Sequence, residues 1–137
     1  MPVPVSDDRI ALQDVMLNYA AAVDERDRER YTNCFTADVQ VHNFGEQTFN
    51  SREEWIDYVW EALEKYSATQ HLLSPQLASI KGDNATTQSN VQATHFLAEN
   101  PNQQIILWAS YKTDMRRDQG QWKICRHELI VRGSRSS

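Results

Sequence analysis

The sequence lacks most of the features that mark specialised protein classes. No apolar run approaches the ~18 residues that a membrane-spanning helix requires. There are only two cysteines, Cys34 and Cys125. They form no CxxC pair and read as isolated buried thiols rather than a disulfide framework. Only four glycines are present, none in a phosphate-cradling loop, and no Gly-x-Ser-x-Gly elbow supports a serine nucleophile. A basic stripe is also missing. The formal net charge is −5; Arg26, Arg28 and Arg30 alternate with acids, and Arg116-Arg117 stands beside Asp118. Both runs read as solvated turns, which argues against a nucleic-acid surface. Met1-Pro2-Val3-Pro4-Val5 is too short and too proline-broken for a signal peptide, so a cytoplasmic location is expected. No internal repeat or low-complexity segment interrupts the chain.

What is present suits one globular domain over residues 1–137, with flexible ends at 1–5 and 133–137. The 137 residues, 40% hydrophobic and 24% charged, are enough to bury a sizeable core. Ser6 followed by Asp7-Asp8 resembles a helix N-cap with acids in the first turn. Leu12, Val15, Met16, Tyr19, Ala22 and Val23 then recur at helical spacing. Asp27 caps a short second helix carrying Tyr31, Cys34 and Phe35, ended by Thr36-Ala37-Asp38. Val39–Phe44 alternates as a strand, with Gln47–Phe49 returning after Gly45. Ser51-Arg52-Glu53-Glu54 is a capping-box signal, and Trp55, Ile56, Val59, Leu63 and Tyr66 form the apolar face of a third helix. Beyond Ser67 the period becomes two. Four strands are expected, at about 69–81, 84–97, 103–117 and 121–132, joined by short turns into an antiparallel meander. Helices followed by a long sheet is an α+β layout.

Strand faces select the candidate functional residues. In 84–97, His95 shares the less polar face with Ala85, Thr87, Ser89, Val91 and Ala93. His71 shares a face with Leu73 and Leu77. In the last strand His127 lies with Cys125, Leu129 and Val131, opposite Ile124 and Ile130, and either face suits the interior. His42 points away from Val39 and Val41. Asp24 arrives from the end of the first helix. Several titratable groups converging on an apolar interior are costly to bury without partners, about 1–3 kcal/mol each, so a hydrated pocket is the better home for them. Tyr19, Trp55, Val59, Trp108 and Tyr111 would line it.

Local patterns then carry a resemblance. They are Tyr19-Ala20-Ala21-Ala22-Val23-Asp24-Glu25-Arg26-Asp27, Cys34-Phe35-Thr36-Ala37-Asp38-Val39, Thr69-Gln70-His71, Gly82-Asp83-Asn84-Ala85, and Tyr111 with Gly120-Gln121-Trp122-Lys123-Ile124 and Arg126. In this order, over nearly the whole chain, the sequence resembles the nuclear-transport-factor-2-like superfamily and, within it, the SnoaL-like group. The resemblance implies a conical, curved antiparallel or mixed sheet wrapped around a pocket that three N-terminal helices close. It is similar to scytalone dehydratases and hexachlorocyclohexane dehydrochlorinases. Both use a His–Asp dyad, and Asp24 and His71 match its positions. His95 resembles a second pocket histidine of the dehydratases. Tyr19 and His127 stand where the dehydrochlorinases carry a lysine and an arginine, so a leaving chloride would be stabilised less well.

The resulting expectation is a small-molecule lyase or isomerase needing no cofactor and no metal. His71 would act as general base and Asp24 would fix its tautomer. Tyr19, His95 and His127 would contact a small hydrophobic, cyclic or polyketide-like substrate bearing one or two oxygens. A ligand-binding or assembly domain without turnover stands as the rival, and a metal enzyme using the scattered histidines is a third reading. A homodimer or higher homo-oligomer is expected, because a curved sheet leaves one broad face to cover.

Overall fold

The computed structural model describes residues 5–137. Its elements are α1 (Val5–Glu25), α2 (Arg28–Thr32), β1 (Phe35–Phe44), β2 (Gln47–Phe49), α3 (Arg52–Leu63), β3 (Tyr66–Leu73), β4 (Leu77–Lys81), β5 (Asn84–Leu97), β6 (Gln104–Asp118) and β7 (Gln121–Ser136). The expected flexible segment 1–5 lies outside the described residues except for Val5, which opens α1. Ser6 therefore sits inside the helix rather than at its cap. The other two caps form as expected. Asp27 accepts from Arg30 N at 3.1 Å, and Ser51 accepts from Glu54 N at 3.3 Å.

The seven strands form one curved sheet in the order β2-β1-β7-β6-β5-β3, with β4 also on β5. All pairs are antiparallel except β1 with β7, which run parallel. The sheet is therefore mixed, and the helices pack into its concave side. Leu12, Met16, Tyr19, Ala22 and Val23 of α1 are buried, as are Trp55, Ile56 and Leu63 of α3. On β5 the inward residues Ala85, Thr87, Ser89, Val91 and Ala93 are all buried, as the alternation predicts. Gln119 and Gly120 both take positive φ, 54° and 80°. That is the two-residue turn that matches strand twist between β6 and β7.

Five local expectations are corrected. Phe35 and Thr36 belong to β1 rather than α2. Ile124 N donates to Cys34 O at 2.8 Å and Thr36 Oγ1 donates to Ile124 O at 3.3 Å, so β7 captures the chain as soon as the helix ends. Tyr66 opens β3 instead of extending α3. The strand expected at 69–81 is two strands, broken at Ser74-Pro75-Gln76, where Pro75 has no N–H to offer a ladder. Leu77 consequently lies exposed on β4, not inside with His71. The tail at 133–137 is not frayed: β7 continues to Ser136, and Gln104 and Ser137 exchange two backbone hydrogen bonds of 3.0 Å.

The Arg116-Arg117 run is not simply solvated either. Arg117 donates to Asp8 Oδ2 at 2.8 Å, Trp122 Nε1 donates to Asp8 Oδ1 at 3.1 Å, and Arg117 lies over the Trp122 ring at 4.5 Å. Asp8 is buried, so this cluster ties the start of α1 to the β6–β7 hairpin. Asp8→Ala would leave the Trp122 indole N–H without its acceptor and the Arg117 guanidinium with only exposed Asp83, at 3.4 Å, as its ion partner. Urea unfolding should report a loss of about 2–3 kcal/mol.

Candidate active site

Asp24 occupies the last turn of α1, where backbone carbonyls make the local potential negative. Neither it nor Glu25 is balanced by a basic residue in that turn, so helix stability alone does not favour a carboxylate there. The turn closes as a Schellman motif. Asp27 N donates to Ala22 O at 2.8 Å and Arg26 N to Val23 O at 3.1 Å. The left-handed position that glycine usually fills is held by Arg26, at φ 60°. In that conformation the Arg26 guanidinium reaches back to Val23 O at 2.5 Å and across to Thr69 Oγ1 at 2.9 Å.

β3 brings the acceptor's partners. Thr69 and His71 share its inner face, two residues apart. Thr69 Oγ1 donates to Asp24 Oδ1 at 3.0 Å, and His71 N donates to Asp24 Oδ2 at 2.9 Å. His71 Nδ1 stands 2.7 Å from Asp24 Oδ1. Burial works to raise the Asp24 pKa. The His71 ring, its backbone N–H and charge, and the Thr69 hydroxyl outweigh it and hold the carboxyl below its ordinary range. An ionised Asp24 makes Nδ1 the protonated nitrogen, so Nε2 carries the lone pair. Side-chain exposures of 22% for Asp24 and 10% for His71 leave the dyad screened from bulk water yet open to the interior.

His71 lines a cavity of about 200 Å³ between the concave face of the sheet and α1, α2 and α3. His95 lines it too, its ring centroid 6.0 Å from that of His71 and 4.8 Å from Tyr66. Its Nδ1–H donates to Ile105 O at 3.2 Å, and burial lowers its pKa. His95 is thus a neutral imidazole whose Nε2 carries the free lone pair. Burial raises the Tyr19, Tyr31 and Tyr111 pKa values well above the ordinary phenol value, so all three remain protonated.

The sequence from residue 4 to residue 128 matches the model of the SnoaL-like domain. The chain belongs to the SnoaL-like domain family. No curated protein matches it. Its fold is similar to that of a Novosphingobium aromaticivorans protein provisionally named a scytalone dehydratase, at 22% identity, covering 93% of this chain and 86% of that one with a TM-score of 0.86. A hexachlorocyclohexane dehydrochlorinase from Novosphingobium barchaimii aligns at 21% identity over 96% of this chain and 90% of its own, with a TM-score of 0.85. A second N. aromaticivorans protein, provisionally named an aromatic ring hydroxylase, aligns at 21% identity over 99% and 96%, with a TM-score of 0.88. At these identities the likeness shows the shared cone and nothing about substrate.

Within this SnoaL-like cone, Tyr19, Trp55, Val59, His95 and Tyr111 line the cavity with His71. Two expected lining residues do not. Trp108 is 36% exposed. It sits three residues from Tyr111 on one strand, so the two cannot share a face, and Leu107 takes the inward place. His127 faces inward but lies behind the wall, 0% exposed. Its Nε2 pairs with Tyr19 Oη at 2.9 Å and its Nδ1 with Thr113 Oγ1 at 2.8 Å. Burial pushes its pKa down to about 3. It is a neutral brace for Tyr19, not a contact for substrate.

Thr69, Arg26, Tyr31 and Tyr66 are site residues that the sequence reading missed. For Arg26 a signal existed: a helix end with no glycine where the chain must turn left-handed. Among the described residues no group of three His, Cys, Asp or Glu side chains is placed to hold a metal ion. A larger groove of about 730 Å³ runs outside, between α1, α2 and the β6–β7 turn. It contains no histidine, and Arg30 within it is already paired with Asn18 and Glu25.

Proposed function

We propose that this SnoaL-like protein is a cofactor-independent lyase or isomerase that removes a proton from a carbon beside an electron-withdrawing group. The observation that carries the reading is the 2.7 Å contact between His71 Nδ1 and Asp24 Oδ1, which leaves Nε2 as a lone pair at the cavity surface. The C–H proton passes to Nε2, and its electron pair moves into the adjacent π-system. Asp24 stabilises the imidazolium that forms. From there the imidazolium returns the proton to a different carbon in an isomerisation. In an elimination it protonates a departing hydroxyl, which leaves as water. Protonated Tyr19 and neutral His127 supply no cation for a departing chloride, which favours these outcomes over dehydrochlorination. Two free thiols suit a reducing cytoplasm, and a second copy covering the outer sheet face around exposed Trp108 is the assembly we propose.

The test is proton exchange. The protein is incubated in D₂O with small cyclic ketones and hydroxyketones that raise its melting temperature, and loss of the α-proton signal is followed by NMR. Exchange well above the buffer rate is expected. Ligands that bind and never exchange would remove the catalytic reading and leave a ligand-binding domain.

A further inference from the structure

The end of α1 carries a side chain that the turn itself does not need. The closure is made by backbone alone: Asp27 N donates to Ala22 O at 2.8 Å and Arg26 N to Val23 O at 3.1 Å. Glycine is the residue such a closure favours, because a Cβ is strained at positive φ. Arg26 stands there instead, at φ 60°. Its charge is costly as well. Burial lowers the guanidinium pKa, an effect that the Asp24 charge opposes. Nη2 is buried with no hydrogen-bond partner among the described residues. Backbone strain and a half-buried cation at one position, beside the dyad, have no counterpart in what the helix end requires.

What the side chain does follows from counting donors and acceptors. Nη1 carries two hydrogens. One goes to Val23 O at 2.5 Å and the other to Thr69 Oγ1 at 2.9 Å. A guanidinium only donates, and an ionised carboxylate only accepts. Thr69 Oγ1 lies between the two, 3.0 Å from Asp24 Oδ1, so its single hydrogen points at Asp24. The chain has one polarity: Arg26 donates to Thr69 and Thr69 to Asp24, while His71 Nδ1 meets the same Oδ1 at 2.7 Å. A charged donor on Thr69 also polarises its O–H and strengthens the bond that hydroxyl makes. Arg26 is not among the residues that line the cavity, so this role involves no contact with substrate.

We propose that Arg26 is a positioning residue for the dyad: acting through the Thr69 hydroxyl, it fixes the Asp24 carboxylate against His71 Nδ1. When the imidazole takes up a proton, that contact becomes an ion pair, and a carboxylate already in place needs no reorganisation. This consequence for turnover rests on the function proposed above; the anchoring itself does not.

Arg26→Gly is the test substitution, because glycine suits the left-handed backbone and both backbone bonds of the turn remain. Exchange of the α-protons of 2-tetralone in D₂O is followed by NMR. Arg26→Gly should lower the turnover rate roughly tenfold, the low end of what a hydrogen bond to a charged group is worth, with KM unchanged. Thr69→Val should do the same, and Thr69→Ser, which keeps the hydroxyl, should lose less. In the double variant Arg26→Gly/Thr69→Val the loss should equal that of the larger single one. Losses that multiply to about a hundredfold overturn the proposal, since Arg26 then acts by its charge and not through Thr69. Turnover in Arg26→Gly equal to that of the unsubstituted protein overturns it too. If Arg26→Gly does not fold, Arg26→Asn takes its place, because Asn also enters the left-handed region.

A second readout is independent of turnover. The His71 Nδ1–H proton, assigned by its loss in His71→Ala, should exchange with water several-fold faster in Arg26→Gly and in Thr69→Val. An unchanged ring-proton lifetime in Arg26→Gly overturns the anchor. Faster ring-proton exchange in both variants of a protein that never exchanges 2-tetralone keeps the anchor and removes the base. Turnover that His71→Ala abolishes, with neither readout moved by Arg26→Gly, keeps the base and removes the anchor.

Discussion

A His71→Ala variant should exchange the α-proton of a bound cyclic ketone roughly 10²–10⁴-fold more slowly than the unsubstituted protein, the usual worth of a positioned general base. The substitution removes Nε2 but leaves the backbone N–H of residue 71, which still donates to Asp24 Oδ2. Thr69 still donates to Oδ1. Asp24 therefore keeps two of its three donors, and the helix end and β3 stay joined, so ligand binding should survive while exchange is lost. Asp24→Asn makes a sharper probe, because it changes little in shape. Its carboxamide oxygen, in the place of Oδ2, accepts from the residue 71 N–H. Its NH₂ then faces His71 Nδ1 as a donor, which moves the ring proton to Nε2 and takes the lone pair away from the cavity. A loss similar to that of His71→Ala is expected even though the imidazole remains. Exchange rates unchanged in both variants would mean that the proton goes elsewhere, and His95, with its free Nε2, would be the next base to test.

The dyad was legible in the sequence because it broke local rules. A carboxylate at a helix C-terminus and an imidazole among leucines each lack a local reason, and each has a partner from another element. His95 was legible from strand parity, since β5 alternates without interruption from Asn84 to Leu97. Parity failed on β7 for a physical cause. Met115 pairs with Ile124 but Asp114 pairs with Arg126, so Cys125 is an extra residue in the ladder. That bulge lets Trp122 and Ile124 point inward before it and His127 and Leu129 after it. No reading with one fixed alternation places all four. Arg26 was missed because charge spacing cannot distinguish a solvated arginine from one folded back by a left-handed backbone. Thr69 was missed because a strand threonine has no signature until its acceptor is known. Pro75 was visible and marked the strand break; the continuous apolar alternation around it masked the signal.

Lowering the pH should destabilise this protein well before its carboxylates titrate, and His127 should be the main cause. In the native state its imidazole is fully buried and held neutral, with a pKa pushed down to about 3, whereas in the unfolded chain it titrates near 6.5. Above that value both states carry the same neutral ring and the burial is without penalty. Between the two values the unfolded chain binds a proton that the native state does not. Stability then falls by about 1.4 kcal/mol per pH unit, to a total on the order of 5 kcal/mol near pH 3. That is comparable with the whole stability of many small domains, so acid unfolding is expected by about pH 4. Asp24 acts with the same sign in a lower window. Its native pKa lies below the ordinary carboxylate value, so its contribution is complete above about pH 4 and is lost as pH falls through the native value. His95, also lowered by burial, adds to the slope above that window, so His127 must be isolated by difference. His127→Gln keeps a polar group within reach of Tyr19 while removing the titration. It should cost about 1–3 kcal/mol at pH 7, because Thr113 loses its partner. Urea unfolding of both proteins from pH 7.5 to 4.5 then gives two slopes, and the unsubstituted protein should be steeper by about 1.4 kcal/mol per pH unit below pH 6.5. Equal slopes would mean that the buried imidazole takes up a proton inside the fold. Tyr19 would then be braced by an imidazolium, and the case against chloride as a leaving group would lose its electrostatic basis.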